Sequence, residues 1–331
     1  MNNFEKNVNL PDLILKRVKD FIESNRLERP TFIVGLSGGA DSVSLAKILN
    51  EISKELNFKL IAAHFDHQWR ADSHKDRQFC QKFCENEKIE LITGFAQDFE
   101  SQVKKSRSKE EFGRFLRMAF FDSILKKTDA NAIILAHHAK DQIETFFIRL
   151  IRGSSLTGLS AMREWNRPFF RPMLECDKSL IDQFVSKRNL EFITDPTNNS
   201  EDFLRNRIRL SLLPIFEQID SRFYKKALET IKNLSQENQI LDNIAQTYIL
   251  KDEFGVTTVN INNFLNLEKP LQFRVLIKLL SIYGANFKPS QSFLSEVVKF
   301  LKINSEHCSK KHAIGIGFSI HKKNGFFFVK S

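Results

Sequence analysis

The sequence predicts an α/β fold in two parts: an N-terminal, mostly parallel sheet flanked by helices, then a smaller, mainly helical domain ending in a β-hairpin. Three observations carry this prediction. Short β-forming apolar runs alternate with amphipathic helical stretches between residues 31 and 151. A glycine-containing turn, Ser37-Gly38-Gly39, joins the first run to the first helical stretch. Beyond Pro214 the pattern stays helical until a period-two tail that contains Asn324-Gly325. Strands separated by helices form βαβ units on a parallel sheet, and Asn-Gly between alternating apolar residues is a type I′ hairpin signal.

Thr31–Leu36 (TFIVGL) is apolar and β-rich. From Asp41 the period changes, and Leu45, Ile48, Leu49, Ile52 and Leu56 form one helical stripe. Leu60–Phe65 is the next strand, Ser73–Lys88 a helix and Glu90–Thr93 a weaker strand. The polar stretch Gln97–Lys109 precedes a helix over Glu110–Lys127, a strand over Ala132–Ala136 and a helix over Lys140–Ile151. Further on, Leu180–Arg188 is a short helix, Thr194–Ser200 is turn chemistry, and Asp202–Leu213 is a helix closed by Pro214. Ser221–Ile249 reads as one long helix and Leu271–Ile282 as another, stopped by Gly284. Ser290 caps a helix carrying Phe293, Leu294, Val297, Val298 and Leu301. Ile314, Ile316, Phe318 and Ile320 then share a strand face, and Phe326–Val329 returns from the turn. The domains are set at 1–216 and 217–331.

The chain has 331 residues with 42% apolar and 27% charged side chains, which excludes wholesale disorder and a membrane bundle. Fifty basic against 40 acidic residues leave a net charge of +10, which suits a polyanionic partner such as nucleic acid. Cys80, Cys84, Cys176 and Cys308 form no disulfide framework and read as structural thiols, with a metal or redox role for Cys80 and Cys84 as the alternative. No secretory leader and no run of 18 apolar residues is present, so a cytoplasmic protein without membrane contact is expected.

Ser37-Gly38-Gly39-Ala40-Asp41-Ser42 lies between a predicted strand and helix. Glycines let the backbone approach an anion, free N–H groups at the helix start point at it, and Ser37 and Ser42 add hydroxyls. The segment lacks the Gly-Lys-Ser/Thr of a P-loop and the spaced glycines of a dinucleotide fold. A carboxylate at Asp41 facing phosphates requires a divalent cation, so ATP with Mg²⁺ is inferred.

This segment resembles the PP-loop signature of ATP-pyrophosphatases, a Rossmann-like group that cleaves ATP between its α and β phosphates. The segments downstream resemble one branch, the tRNA(Ile)-lysidine synthetases. His64-Phe65-Asp66-His67-Gln68-Trp69-Arg70 matches that family's HxDHxxR motif. It follows a strand and should face the phosphate loop; zinc ligation and simple loop fixation by the histidines are the competing readings. Glu111, Arg114 and Arg117 match a Glu and two Arg of the family, with Met118 where an aromatic is usual. Ala136-His137-His138-Ala139-Lys140-Asp141-Gln142-Ile143-Glu144-Thr145 is similar to AHHxDDxxET, with Lys140 in place of the first acid. Arg152-Gly153-Ser154 through Gly158-Leu159 matches RGxGxxGL, with Ser155 at the second glycine. Asp195–Ser200 and Arg205-Asn206-Arg207-Ile208-Arg209 resemble the D-x-SN and RNxIR blocks.

The resemblance implies ATP-dependent attachment of free L-lysine to the wobble cytidine of isoleucine tRNA with a CAU anticodon. It implies catalytic roles for Asp41, Asp66, Arg114, Asp141 and Glu144, and nucleotide contacts from residues 37–42, His64 and His137. Asp41 and Asp141 are the Mg²⁺ candidates. Arg70, Arg117, Arg152, Arg205, Arg207 and Arg209 are candidates for RNA, and the second domain for tRNA binding; a homodimer is left open. Two competitors are a tRNA 2-thiocytidine synthetase, disfavoured by the lack of Cys-x-x-Cys, and a non-catalytic RNA-binding protein, disfavoured by the intact acidic set.

Overall fold

A computed structural model describes residues 9–103, 108–194, 203–251, 255–283, 290–303, 311–315 and 318–330. Asp195–Ser200, Asp202, Gly284, Cys308 and Ile316 lie outside the described residues. The chain divides into two compact units, Met1–Lys232 and Asn233–Ser331.

The first unit opens with α1 (Leu10–Ser24), whose cap Asn9 accepts a bond from the Asp12 N–H and whose apolar stripe buries Ile14, Val18 and Phe21. Strand and helix then alternate as β1 (Thr31–Gly35), α2 (Ala40–Ser53), β2 (Lys59–Asp66), α3 (Ser73–Glu87), β3 (Glu90–Phe95) and α4 (Lys109–Thr128). Next come β4 (Ala132–Ile134), α5 (Ala139–Ile151), α6 (Leu156–Leu159), β5 (Trp165–Asn166), β6 (Phe169–Phe170) and α7 (Lys178–Arg188). The sheet order is β3-β2-β1-β4-β6-β5, parallel throughout except for β5 against β6.

Both sheet faces are covered, which is why β1 is apolar without alternation. Phe32 and Val34 join one core with α1, α2 and α7, whereas Ile33 faces Leu116, Phe120, Phe121 and Ile124 of α4. The strand expected over 132–136 ends at Ile134 because His138 already caps α5. β5 and β6 were not anticipated; two residues each are too few for a periodic signal.

The helix expected over 202–213 is corrected. Leu204–Arg207 forms α8, Ile208–Leu212 is a π-helical turn, and Leu213–Ile219 forms α9. Pro214 opens α9 rather than closing its predecessor, because a first-turn proline forfeits no helical bond. The 25-residue α10 (Phe223–Thr247) follows. Its first turns send Phe223, Tyr224, Ala227, Leu228 and Ile231 into a core shared with Ile143 of α5 and Leu213 of α9. The compact units therefore divide inside α10, later than the 216/217 boundary set on composition.

In the second unit, α11 (Ile261–Leu265), α12 (Lys269–Ile282) and α13 (Gln291–Lys302) pack on strands β7 (Leu250–Lys251), β8 (Thr257–Asn260), β9 (Lys311–Gly315), β10 (Phe318–Lys323) and β11 (Phe326–Lys330). The Asn324-Gly325 hairpin forms as expected, both residues at positive φ, but within a five-stranded antiparallel sheet of order β7-β8-β11-β10-β9.

Phe120 is buried against Phe65, Phe99 and Phe121, in the core between the sheet and α4. Phe120→Ala is expected to cost about 3–5 kcal/mol, seen as a lower urea midpoint at unchanged m-value.

Candidate active site

The carboxyl ends of β1, β2 and β4 lie side by side, where open α/β sheets bind ligands. Residues 37–42 cross the end of β1. Gly38 has φ +87°, and a Cβ there would sit 3.1 Å from Ile193 Cδ1. The Ile193 N–H donates to the Gly38 carbonyl at 2.9 Å, so the turn is held from a distant segment. Ser42 Oγ donates to the Gly39 carbonyl at 2.9 Å and accepts from the Ser37 N–H at 3.1 Å. Gly39 caps α2 without a side-chain acceptor, so the first-turn N–H groups of a 14-residue helix stay available for an anion.

Asp41, in that first turn, meets one ammonium group and one imidazole nitrogen. Lys178 Nζ donates to its Oδ1, and His138 Nε2 lies 3.6 Å from its Oδ2. Burial would raise its pKa, but the bonds from His138 and Lys178 win and hold the carboxyl below its ordinary value. His138 caps α5: its Nδ1 accepts from the Lys140 N–H at 3.2 Å and Asp141 Oδ2 accepts from its own N–H at 2.9 Å. The imidazole proton is thereby placed on Nε2, which is also 3.6 Å from Asp141 Oδ2. Burial opposes its charge, yet the Asp41 bond and the Asp141 charge raise its pKa. Two carboxylates from two helices thus converge on one imidazole nitrogen. Lys140, which replaces an acid of the family pattern, points elsewhere, its Nζ 5.3 Å from the Tyr224 ring centre.

Glu144, one turn further along α5, is 1% exposed. It accepts from Arg209 Nε at 2.6 Å and Nη2 at 3.1 Å, with Arg205 Nε at 3.3 Å. Two of the three arginines expected to face RNA in this block therefore turn inward, and Arg207 alone is exposed. Arg152 is exposed at the end of α5.

His137 keeps the opposite company. Arg171 Nε donates to its Nδ1 at 3.3 Å, which requires a neutral ring. Burial, aided by the charges of Arg171, Arg117 and Arg205, pushes its pKa down to about 3. Arg117, on α4, is lowered to about 10 by desolvation, with the charges of Arg205 and Arg114 adding to it. Arg171 falls to about 10 for the same reasons, beside Arg114 and Arg149. Arg149 is spent on structure, donating to the carbonyls of Gly158 and Ala161. Ser155 stands where the family pattern has glycine, but its φ of −71° demands none.

At the end of β2, His64 Nδ1 bonds the Leu36 carbonyl at 2.9 Å, and burial lowers its pKa. Asp66 is buried, accepting from the Gln68 N–H at 2.8 Å with Arg77 3.7 Å away. Arg70 pairs with Asp76 and Asp72. Cys80, Cys84 and Cys176 are buried, and burial pushes the last two up to about 12, as structural thiols require. Among the described residues no cluster of three His, Cys, Asp or Glu forms a metal cage.

Lys178, Arg171 and Arg77 were missed by the sequence reading. Lys178 had the best signal: it follows Asp177, whose side chain caps α7 by accepting from the Ser179 N–H. Nothing local to Cys176-Asp177-Lys178 shows that this helix start faces Asp41.

A doubly wound sheet with a glycine cradle at the end of β1 defines an ATP-using enzyme of the PP-loop class. A PP-loop domain model matches residues 12–216. Among solved structures, the U34-tRNA thiolase NcsA of Methanococcus maripaludis superposes with a TM-score of 0.56 at 18% identity, over 68% of this chain and 79% of its own, a likeness of fold. The tRNA(Ile)-lysidine synthase of Borrelia garinii subsp. bavariensis is 35% identical over 97% of this chain and 71% of that protein. The enzyme of that name from Bacillus subtilis is 32% identical over 87% of this chain and 63% of its own. The chain belongs to the tRNA(Ile)-lysidine synthase family and is a ligase. No described helix is long and apolar enough to cross a membrane.

The His137 environment makes stability depend on pH. Between the ordinary value of 6.5 and the folded value of about 3, the unfolded chain binds a proton that the folded chain refuses. Stability is present above pH 6.5 and lost as pH falls, with this residue adding at most about 1.4 kcal/mol per pH unit. His137→Asn, which keeps an acceptor for Arg171, is expected to flatten the slope of unfolding free energy between pH 7 and 4.

Proposed function

We propose that this chain joins the ε-amine of free L-lysine to C2 of the wobble cytidine in isoleucine tRNA bearing a CAU anticodon. ATP is consumed and AMP and diphosphate are released. The observation that carries the reading is the placement of an open anion cradle beside two converging carboxylates, Asp41 and Asp141, with arginines around them.

The cytidine is activated because its C2 oxygen is otherwise a poor leaving group. That oxygen attacks the α-phosphorus, the α–β anhydride bond breaks and diphosphate departs. The lysine amine then attacks C2 of the adenylylated base, the C2–O bond breaks to release AMP, and the surplus ammonium proton passes to a carboxylate. A base in a single-stranded loop leaves its stack at little cost.

Ser37, Gly38, Gly39, Ala40 and Ser42 receive the phosphates, and His64 and His137 border the nucleotide. Arg114 neutralises charge building on the α-phosphate. Asp41 and Asp141 suit Mg²⁺, a hard ion that takes one or two carboxylates with phosphates and water; it would offset phosphate charge. Asp141 and Asp66 are the carboxylates for the amine and its proton. Glu144 is held by Arg205 and Arg209 as the floor of that pocket. Arg117, Arg152 and Arg207 meet RNA phosphates, whose affinity is salt-dependent; Arg70 joins them by exchanging its carboxylate partners. The C-terminal unit supplies further tRNA contacts.

The test is purified chain with ATP, Mg²⁺, labelled lysine and a CAU isoleucine tRNA transcript. Label in the tRNA with equal AMP supports the reading; ADP formation, or labelling only by a sulfur donor, overturns it. Asp41→Asn is expected to abolish incorporation at saturating ATP and, because it leaves Lys178 without that carboxylate, to lower the thermal midpoint while the far-UV circular dichroism stays native; near-normal turnover would remove Asp41 from the assigned role.

A further inference from the structure

The loop after β2 carries a side chain that the chemistry above does not use. Trp69 is 38% exposed although the residues around it are arranged to hold it. Its ring packs on His67 with centroids 4.5 Å apart, and His67 packs edge-on against Phe65 at 4.8 Å. On α4, Gly113 leaves the space the indole fills: a Cβ there would lie 2.3 Å from the ring carbon Cη2. Lys109 Nζ sits 5.0 Å from the ring centre. Phe203, the cap of α8, lies near-parallel to the indole at 16°, with centroids 6.5 Å apart. That separation is at the long end for an offset stacked pair and close to twice the roughly 3.4 Å rise between stacked bases.

Both elements that frame the indole also reach the crevice. α4 carries Arg114 and Arg117 one and four residues after Gly113, and α8 carries Arg205, bonded to Thr145 and paired with Glu144. The indole lies on the loop that follows buried Asp66, the last residue of β2. A planar, half-exposed aromatic with a cation above it, beside an arginine-lined crevice, has the composition of a single-strand base platform.

We propose that Trp69, with Phe203, stacks a base of the tRNA anticodon loop next to the reacting cytidine and keeps that base out of the loop stack. The inference rests on the tRNA reading above and adds to it a base subsite outside the reacting centre.

The experiment uses the full chain and the RNA anticodon stem-loop of a CAU isoleucine tRNA. Only two tryptophans are present, so Trp165→Phe leaves Trp69 as the sole indole emitter. Adding the stem-loop should quench that emission. Trp69→Ala should weaken stem-loop binding about tenfold, within the range known for loss of one stacked base, whereas Trp69→Phe retains most of the affinity. Gly113→Ala, which keeps the helix but displaces the indole, should weaken binding in the same way. An abasic nucleotide placed at each position flanking the cytidine should, at one of them, cost the parent protein about tenfold and Trp69→Ala nothing. Unquenched emission, or an abasic penalty equal in the parent and Trp69→Ala, overturns the inference, also if Trp69→Ala is less stable. The parent protein's lysine incorporation into intact tRNA is measured alongside. If it labels tRNA while the stacking tests fail, only this inference falls; if it labels none, the reading beneath it falls.

Discussion

Everything in the crevice hangs on the charge of Asp41. It starts α2, yet its partners come from the starts of α5 and α7: His138 at 3.6 Å and Lys178 in direct contact, 137 residues away in sequence. One carboxylate therefore ties together three helices that emerge from different strand ends, and with them the glycine cradle, whose own hydrogen bonds hold only Ser37, Gly39 and Ser42. A half-buried carboxylate held by one ammonium group and one imidazole N–H is a structural tie that is also available for exchange, because either donor can yield to a cation. Breaking one partner of such a cluster leaves the rest uncompensated, the costly case for a buried ion pair.

Around that tie the crevice is over-supplied with positive charge. Burial lowers the pKa of Arg117, Arg149 and Arg171, and neighbouring arginines lower them further: Arg205 and Arg114 at Arg117, Arg114 at Arg149, Arg114 and Arg149 at Arg171. Like charges at such range repel, and folding alone gives no reason to gather them. Their convergence is explained by a polyanion that completes the balance. Arg149 meets carbonyls, Arg205 and Arg209 meet Glu144, and Arg171 donates to His137, so the charge left to face a ligand rests chiefly with Arg114 and Arg117. The same logic separates two carboxylates of α5. Asp141 stands at the helix start beside His138, while Glu144 lies buried under two guanidinium groups.

The local signals were the legible ones. The strand–helix alternation, the cradle at 37–42, the cap at Ser290, and the Asn324-Gly325 turn each depend on residues within a few positions of one another. What the sequence concealed was long-range. Nothing at Lys178 shows that α7 begins opposite Asp41, and nothing at Arg205 or Arg209 shows that Glu144 takes them before RNA does. Pro214 misled for a related reason: proline marks a helix boundary from either side, and only the π-turn before it decides which. The strands β7 and β8 are too short to declare themselves, and the single strand face read through Ile314, Phe318 and Ile320 is instead divided between β9 and β10, which pair antiparallel.

The two adjacent histidines show how far environment outweighs identity. His137 and His138 share one backbone segment and one intrinsic basicity, yet their surroundings drive them apart. Burial is unfavourable to charge in both. At His138 the carboxylates Asp41 and Asp141 overcome it; at His137 three arginines reinforce it. The result is a donor facing the carboxylates and a neutral acceptor facing Arg171, one residue apart at the start of α5. Pairs of titratable groups pushed in opposite directions are what a site with separate acid, base and electrostatic tasks requires. Here the separation follows from the strand-to-helix turn itself: successive side chains leave β4 on opposite sides, one into the arginine cluster and one onto Asp41.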